Sequence, residues 1–156
     1  MSKQTVQPNM RLGDLSVGFV HSIAAAMGEQ GHCARELLER FELNAEHLAQ
    51  PDARLSIPRY MRLGHAAIQY SGNPALGLAI GRHSSLNHIG LAGVTAAQAP
   101  NVRAAARCIL RFEPLYAQNY RGASQFIEDY NGAWLNFYSI APYNAYNCFV
   151  VESVLL

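Results

Sequence analysis

Charge is scarce in this chain. Asp, Glu, Lys and Arg make up 15% of its 156 residues, low for a domain whose whole surface faces water. Such a surface is either covered in the native assembly or belongs to something larger. The charge present is also balanced, twelve basic side chains against eleven acidic ones. A free-standing nucleic-acid binder concentrates its basic residues in a patch or stripe, and none is present. The one close basic series is Arg103, Arg107 and Arg111. Its spacing of four puts the three on one side of a helix, as a solvated face or as a strip that meets phosphate or a partner. Cysteine is sparse and odd in number: Cys33, Cys108 and Cys148, with no C-x-x-C. That excludes a disulfide framework and a structural zinc site. Cys108 and Cys148 lie in apolar stretches and read as small buried hydrophobes. No apolar run approaches the roughly twenty residues of a membrane span, and no Lys/Arg-led apolar segment opens the chain as a secretory signal. A cytoplasmic location and no membrane partner are the expectations.

The chemistry of catalysis is missing as well. The six histidines (His21, His32, His47, His65, His83, His88) are well separated. None forms H-x-H or H-E-x-x-H, so no metal site is expected. Gly122–Phe126 lacks the second glycine of a nucleophile elbow. Gly77–Gly81 lacks the lysine and the glycine pattern of a phosphate loop. No acid/base or nucleophile constellation emerges. The chain reads as a non-enzyme without a cofactor.

What is present is helical periodicity, then a change of period. Residues 1–14 are polar, carry Pro8 and Gly13, and read as a loose leader. Asp14 or Ser16 can cap a first helix whose apolar positions are Val17, Val20, Ile23, Ala24 and Met27, ended by Gly28 and Gly31. A second runs from Cys33 to Phe41 with Leu37, Leu38 and Phe41 inward, and Asn44 caps a further turn, Ala45–Leu48. Ile57, Met61, Gly64, Ala67 and Ile68 stripe a helix that ends at Gly72. Asn73-Pro74 starts the next, with Leu76, Ala79 and Ile80 inward and Gly81 closing it. Ser84–Ala99 reads as a short extended piece followed by a turn. Asn101 caps a helix that points Val102, Ala105, Ala106, Ile109 and Leu110 inward. Glu113-Pro114 weakens its end, because the residue before a proline avoids the helical region.

Beyond Tyr120 the period becomes two. Phe126–Glu128 and Ala133–Tyr138 flank Asp129-Tyr130-Asn131-Gly132, and Asn-Gly is the strongest short hairpin signal because both residues tolerate positive φ. Trp134, Asn136 and Tyr138 share one face, Leu135 and Phe137 the other. These belong to an aromatic and amide cluster that includes Tyr116 and Tyr120. Tyr and Trp carry an apolar body with a polar tip, and small-molecule pockets use both. The cluster is either half-buried packing or a pocket wall formed by the hairpin face and the Ala-rich helix. On the second reading the candidate ligand-binding residues are Tyr116, Trp134, Asn136, Tyr138, Arg111 and His88, with Arg111 as counter-ion if the ligand is an acidic, amino-acid-like molecule. From Tyr143 the chain turns amphipathic and stays apolar to Leu156. It reads as a fragment stopped inside a helix.

Two stretches carry a resemblance. One runs from Leu37-Leu38-Glu39-Arg40-Phe41 through Asp52–Pro58 to Gly72-Asn73-Pro74-Ala75-Leu76-Gly77-Leu78. The other runs from Gly90-Leu91-Ala92-Gly93 through Val102–Ala106 to Glu113-Pro114-Leu115-Tyr116. In this order they resemble the arabinose-binding-like N-terminal domain of AraC-family transcription regulators, the branch of ornithine-utilisation regulators. The resemblance covers residues 15–156. It implies an α+β effector-binding and dimerisation domain: a helical N-terminal half packed with a small antiparallel sheet or hairpin in the C-terminal half. It further implies a small metabolite as effector, a homodimer, and DNA contact only through a C-terminal helix-turn-helix domain that this sequence lacks. The alternative is a dimerisation or protein-interaction module without a ligand.

Overall fold

The apolar stripe that starts at Val17 forms the central helix, α1 (Gly18–Glu29), and buries Val20, Ile23, Ala26 and Met27 completely. The computed structural model describes residues 12–139 and 142–155. The leader expected over residues 1–14 lies almost wholly outside them. Its last residues, Gly13 and Asp14, belong to strand β1 (Gly13–Ser16). Asp14 therefore does not cap α1; Ser16 Oγ accepts from the Gly18 N–H at 3.1 Å.

Around α1 lie α2 (Arg35–Arg40), α3 (Ala45–Ala49), α4 (Ile57–Ser71) and α5 (Leu76–Arg82). The expected inward residues Leu37, Leu38, Ile57, Gly64, Ala67, Leu76, Ala79 and Ile80 are all buried, while Phe41, Met61, Ile68 and Ala24 are half-buried against them. Each fully buried aliphatic side chain contributes about 1.5–3 kcal/mol, so this cluster carries the helical half. Asn44 caps α3 by accepting from the His47 N–H at 2.8 Å.

The segment after α5 departs from the extended piece expected. Leu86–Ile89 form a 3-10 turn and Leu91–Ala97 form helix α6. Helix α7 (Val102–Arg111) follows, with Asn101 Oδ1 accepting from the Ala104 N–H at 2.9 Å as its cap. Its expected inward face is only partly covered. None of its residues is fully buried, and Val102, in the first turn, is 85% exposed. Of the cysteines, Cys108 and Cys148 are half-buried and Cys33 is exposed.

Past α7, Glu113–Tyr116 form a short helix, α8, that leads into strand β3 (Ala117–Asn119). Strands β1, β2 (Arg54–Ser56) and β3 make an antiparallel sheet in the order β2-β1-β3. Leu15 pairs with Leu55 on one side and Ala117 on the other. Arg54 locks this sheet: its guanidinium pairs with Asp14 and donates to the Leu115 carbonyl. Gly13 sits at φ +135°, where a Cβ would meet the Gln118 carbonyl oxygen at 2.2 Å. Only glycine tolerates both that dihedral and that approach.

The hairpin pairs β4 (Gln125–Glu128) with β5 (Ala133–Asn136), Ile127 opposite Trp134 and Phe126 opposite Leu135. Its turn is not the one the Asn-Gly signal implies. Neither Asn131 nor Gly132 has a positive φ. Asp129 holds the loop, its Oδ1 accepting from the N–H groups of Asn131 (2.7 Å) and Gly132 (3.2 Å), an Asx turn that displaces the primed type. The fold is α+β, as expected, but its larger sheet draws two strands from the N-terminal half. Helix α9 (Phe149–Val154) returns to the helical core through Phe149, which is fully buried.

Candidate functional site

Small residues along α1 let another segment approach it closely. Gly18 and Ser22 are one turn apart on the buried side of the helix. A Cβ on Gly18 would stand 2.1 Å from the His88 carbonyl oxygen. The 3-10 turn thus lies directly against α1 and places the His88 ring beside Ser22, with Nδ1 3.0 Å from Ser22 Oγ. Ser22 is 1% exposed, and its hydroxyl also lies 3.4 Å from the His83 carbonyl. A hydroxyl has one proton to give, so it either donates to Nδ1 or donates to His83 and accepts from Nδ1–H.

His88 separates two clefts. One, of about 270 Å³, has apolar walls from Phe19, Leu86 and Ile89, with the hydroxyls of Ser22, Ser84 and Ser85 among them. The other, of about 180 Å³, opens toward His21, Gln50 and Asn87. The His21 and His88 rings are 6.1 Å apart. Burial, and secondarily the neighbouring His21, holds the His88 imidazole below its ordinary pKa, so the ring is neutral at neutral pH. No carboxylate, ammonium or guanidinium lines either cleft among the described residues. No group of three or more His, Cys, Asp or Glu that could hold a metal occurs among them.

The family model described as the arabinose-binding domain of AraC transcription regulators, N-terminal, matches residues 31–156. The chain belongs to this family. It is also 23% identical over 139 residues to the ornithine utilization regulator of Pseudomonas aeruginosa, a match that covers 89% of this chain and 40% of that relative. The chain thus spans about two fifths of the length of the curated relative it matches. Among the chain's described residues no helix is long and apolar enough to cross a membrane.

In this arabinose-binding-type domain the six expected ligand residues do not converge. His88 lines both clefts beside α1; the other five line neither. Tyr116 is buried, donates its hydroxyl to the Ile109 carbonyl at 3.1 Å, and packs 6.2 Å from the Phe19 ring. Burial, then Glu113 and Cys108, raises its pKa. It is a packing residue with its polar tip satisfied. Arg111 lies with its guanidinium 5.8 Å from the Phe112 ring, outside both clefts.

Trp134 and Asn136 lie on the hairpin face opposite the one that meets the Ala-rich helix. Phe126 and Glu128 face α7: the Arg107 guanidinium lies 5.5 Å over Phe126, and Arg103 and Arg107 both pair with Glu128. Strand alternation sends Ile127 and Trp134 the other way. Helix and Trp134 face therefore do not enclose a common hollow. Two of the three arginines in the basic series are also engaged within the chain. Tyr138 lies past the end of β5, its ring against Gly122 and its N–H donating to Ser124 Oγ at 3.2 Å. Reading the sequence alone missed Phe19, Ser22 and His21. The available signal was the small-residue spacing Gly18–Ser22–Ala26 on an otherwise apolar face, which marks a close approach of backbone.

Proposed function

We propose that this chain is the ligand-sensing part of an AraC-type regulator, that a small metabolite binds beside α1 at the Ser22–His88 pair, and that occupancy is relayed to a DNA-binding helix-turn-helix domain elsewhere in the parent protein. The observation that carries the reading is the pair itself: a neutral imidazole, oriented by a buried hydroxyl, at the junction of two clefts in a domain of this family. Pockets combine apolar walls with a few fixed polar groups, and the cleft of Phe19, Leu86, Ile89 and the three serines has that composition. Of the residues expected from sequence, His88 is retained at the ligand.

The relay has a physical route. Phe19, a wall of the larger cleft, packs edge-on to Tyr60 at 6.2 Å, and Tyr60 packs on Phe149 of α9 at 5.7 Å. A ligand shifts an equilibrium only by binding one arrangement better than another; displacement of Phe19 would couple the cleft to α9 through these rings. Calorimetry with a metabolite panel tests the site. Binding that His88→Gln abolishes supports it; binding unaffected by that change removes His88 from the ligand.

A second reading rests on the exposed apolar side chains of the hairpin and its surroundings. Trp134 is 47% exposed and its cross-strand partner Ile127 44%. Exposed patches of this kind mark protein contacts, and a homodimer through this surface would account for the low charge. Sedimentation equilibrium separates the cases, since Trp134→Ser would dissociate such a dimer without affecting ligand binding at His88.

A further inference from the structure

We infer that Ser22 and the His83 carbonyl fix His88 as its Nδ1–H tautomer, which makes Ser22 a positioning residue of the site and turns an unprotonated Nε2 toward the clefts. The inference rests on the reading of His88 as the residue that meets the effector. Gly18 lets the 3-10 turn come against α1, and Ser22, one turn along the helix, meets the His88 ring there. Ser22 is 1% exposed, so its hydroxyl bonds to the protein rather than to water. That hydroxyl has two neighbours, His88 Nδ1 at 3.0 Å and the His83 carbonyl oxygen at 3.4 Å. No backbone N–H reaches this carbonyl among the described residues.

Two proton arrangements are open to these three groups. In one, Ser22 donates to a bare Nδ1, and the ring carries its proton on Nε2. The buried Ser22 oxygen then accepts nothing, and the His83 carbonyl has no donor. In the other, Nδ1–H donates to Ser22 Oγ, and the hydroxyl donates onward to the His83 carbonyl. The first arrangement makes one hydrogen bond and the second makes two. Polar groups left unpaired away from water are costly, and each bond in such a chain polarises the next. The second arrangement therefore holds. A neutral imidazole carries a single N–H, and burial keeps His88 neutral at neutral pH. With that proton on Nδ1, Nε2 has only a lone pair. A metabolite that bonds to Nε2 does so through a donor of its own, a hydroxyl, amine or amide N–H. An acceptor at that atom would have to reverse the whole chain. The buried side of the ring decides this, so it holds although Ser84, Ser85 and Leu86 leave the cleft open to water.

Long-range ¹H–¹⁵N correlation spectra of the 156-residue chain, taken without ligand at about pH 7.5, separate protonated from unprotonated ring nitrogens. The His88 pair is assigned as the one missing from His88→Gln. The wild type is expected to show Nδ1 protonated and Nε2 unprotonated. Ser22→Ala is expected to lose that order, its two nitrogens averaged or reversed, and Ser22→Thr, which keeps the hydroxyl, to retain it. A wild type with its proton on Nε2 overturns the inference. So does an unchanged order in Ser22→Ala, or a folded Ser22→Thr that matches the alanine variant. The placing of the effector at His88 fails separately, if a metabolite that binds in calorimetry binds equally to His88→Gln. Circular dichroism establishes that the variants are folded; should either not fold, the wild-type order decides.

Discussion

The ring of Phe149 occupies the space in front of Gly64: a Cβ built on that glycine would stand 2.1 Å from Cζ and 2.4 Å from Cε2. The contact joins α4 to α9, two elements far apart in the chain, and explains why a glycine interrupts the apolar stripe of α4. Gly77 of α5 makes a second close approach, its missing Cβ 2.8 Å from the Phe149 Cα. Gly64→Ala forces a side chain against a rigid ring and is expected to destabilise by about 1–3 kcal/mol in chemical denaturation. Phe149→Ala is expected to cost about 3–5 kcal/mol. In Gly64→Ala/Phe149→Leu the costs are expected to fall short of the sum, because the smaller side chain makes room.

His88 makes stability depend on pH. Its folded pKa is depressed by burial and by His21, so the unfolded chain takes up a proton more readily than the native one. Stability from the neutral ring is therefore fully present above the ordinary histidine value of about 6.5 and is lost as pH falls through that value toward the folded pKa. Urea midpoints measured at about pH 7.5 and about pH 5.5 are expected to differ more in the wild type than in His88→Gln. An equal fall in both proteins assigns the acid sensitivity elsewhere.

Glu128 anchors the hairpin to α7 by pairing with Arg103 at 2.7 Å and with Arg107. Both arginines are more than half exposed, so screening limits each pair to about 0–1 kcal/mol. A two-stranded hairpin is marginal on its own in water, however, and local effects exceed global ones. Glu128→Gln is expected to leave the global midpoint within about 1 kcal/mol and to accelerate amide exchange across β4 and β5. Protected hairpin amides in the variant would show that Phe126 packing alone holds the strands.

Trp134 is the sole tryptophan, which makes the hairpin face observable. With the ligand beside α1, a metabolite that binds is expected to leave Trp134 emission unshifted at saturation, and Asn136→Ala and Tyr138→Phe are expected to retain full affinity for it. A blue shift on ligand addition, with weaker binding in either variant, would return the site to the hairpin.

Much of the helical half was legible because its signals are local. The stripe of α4 and the caps Asn44 and Asn101 repeat within one element, and the hairpin is bracketed by its own turn residues. Strands β1, β2 and β3 were not legible. They are three or four residues long, too short for an alternation pattern, and Leu15 finds its partners 40 and about a hundred residues away, at Leu55 and Ala117. Helix α6 was hidden by composition: Gly90 and Gly93 read as a turn, whereas Gly93 is buried within the helix. The site was harder still. Ser22 and His88 are 66 residues apart, and each alone is an ordinary polar residue; only the approach of the 3-10 turn to Gly18 makes them a pair.

The most direct measurement is a thermal-shift comparison of the wild type and His88→Gln across a metabolite panel that spans neutral, cationic, anionic and sugar classes. A ligand at about a hundred times its Kd stabilises the folded state by roughly 2.7 kcal/mol. The account predicts a raised midpoint for one class in the wild type and none in the variant. An equal rise in both proteins, or no rise for any class, would contradict it.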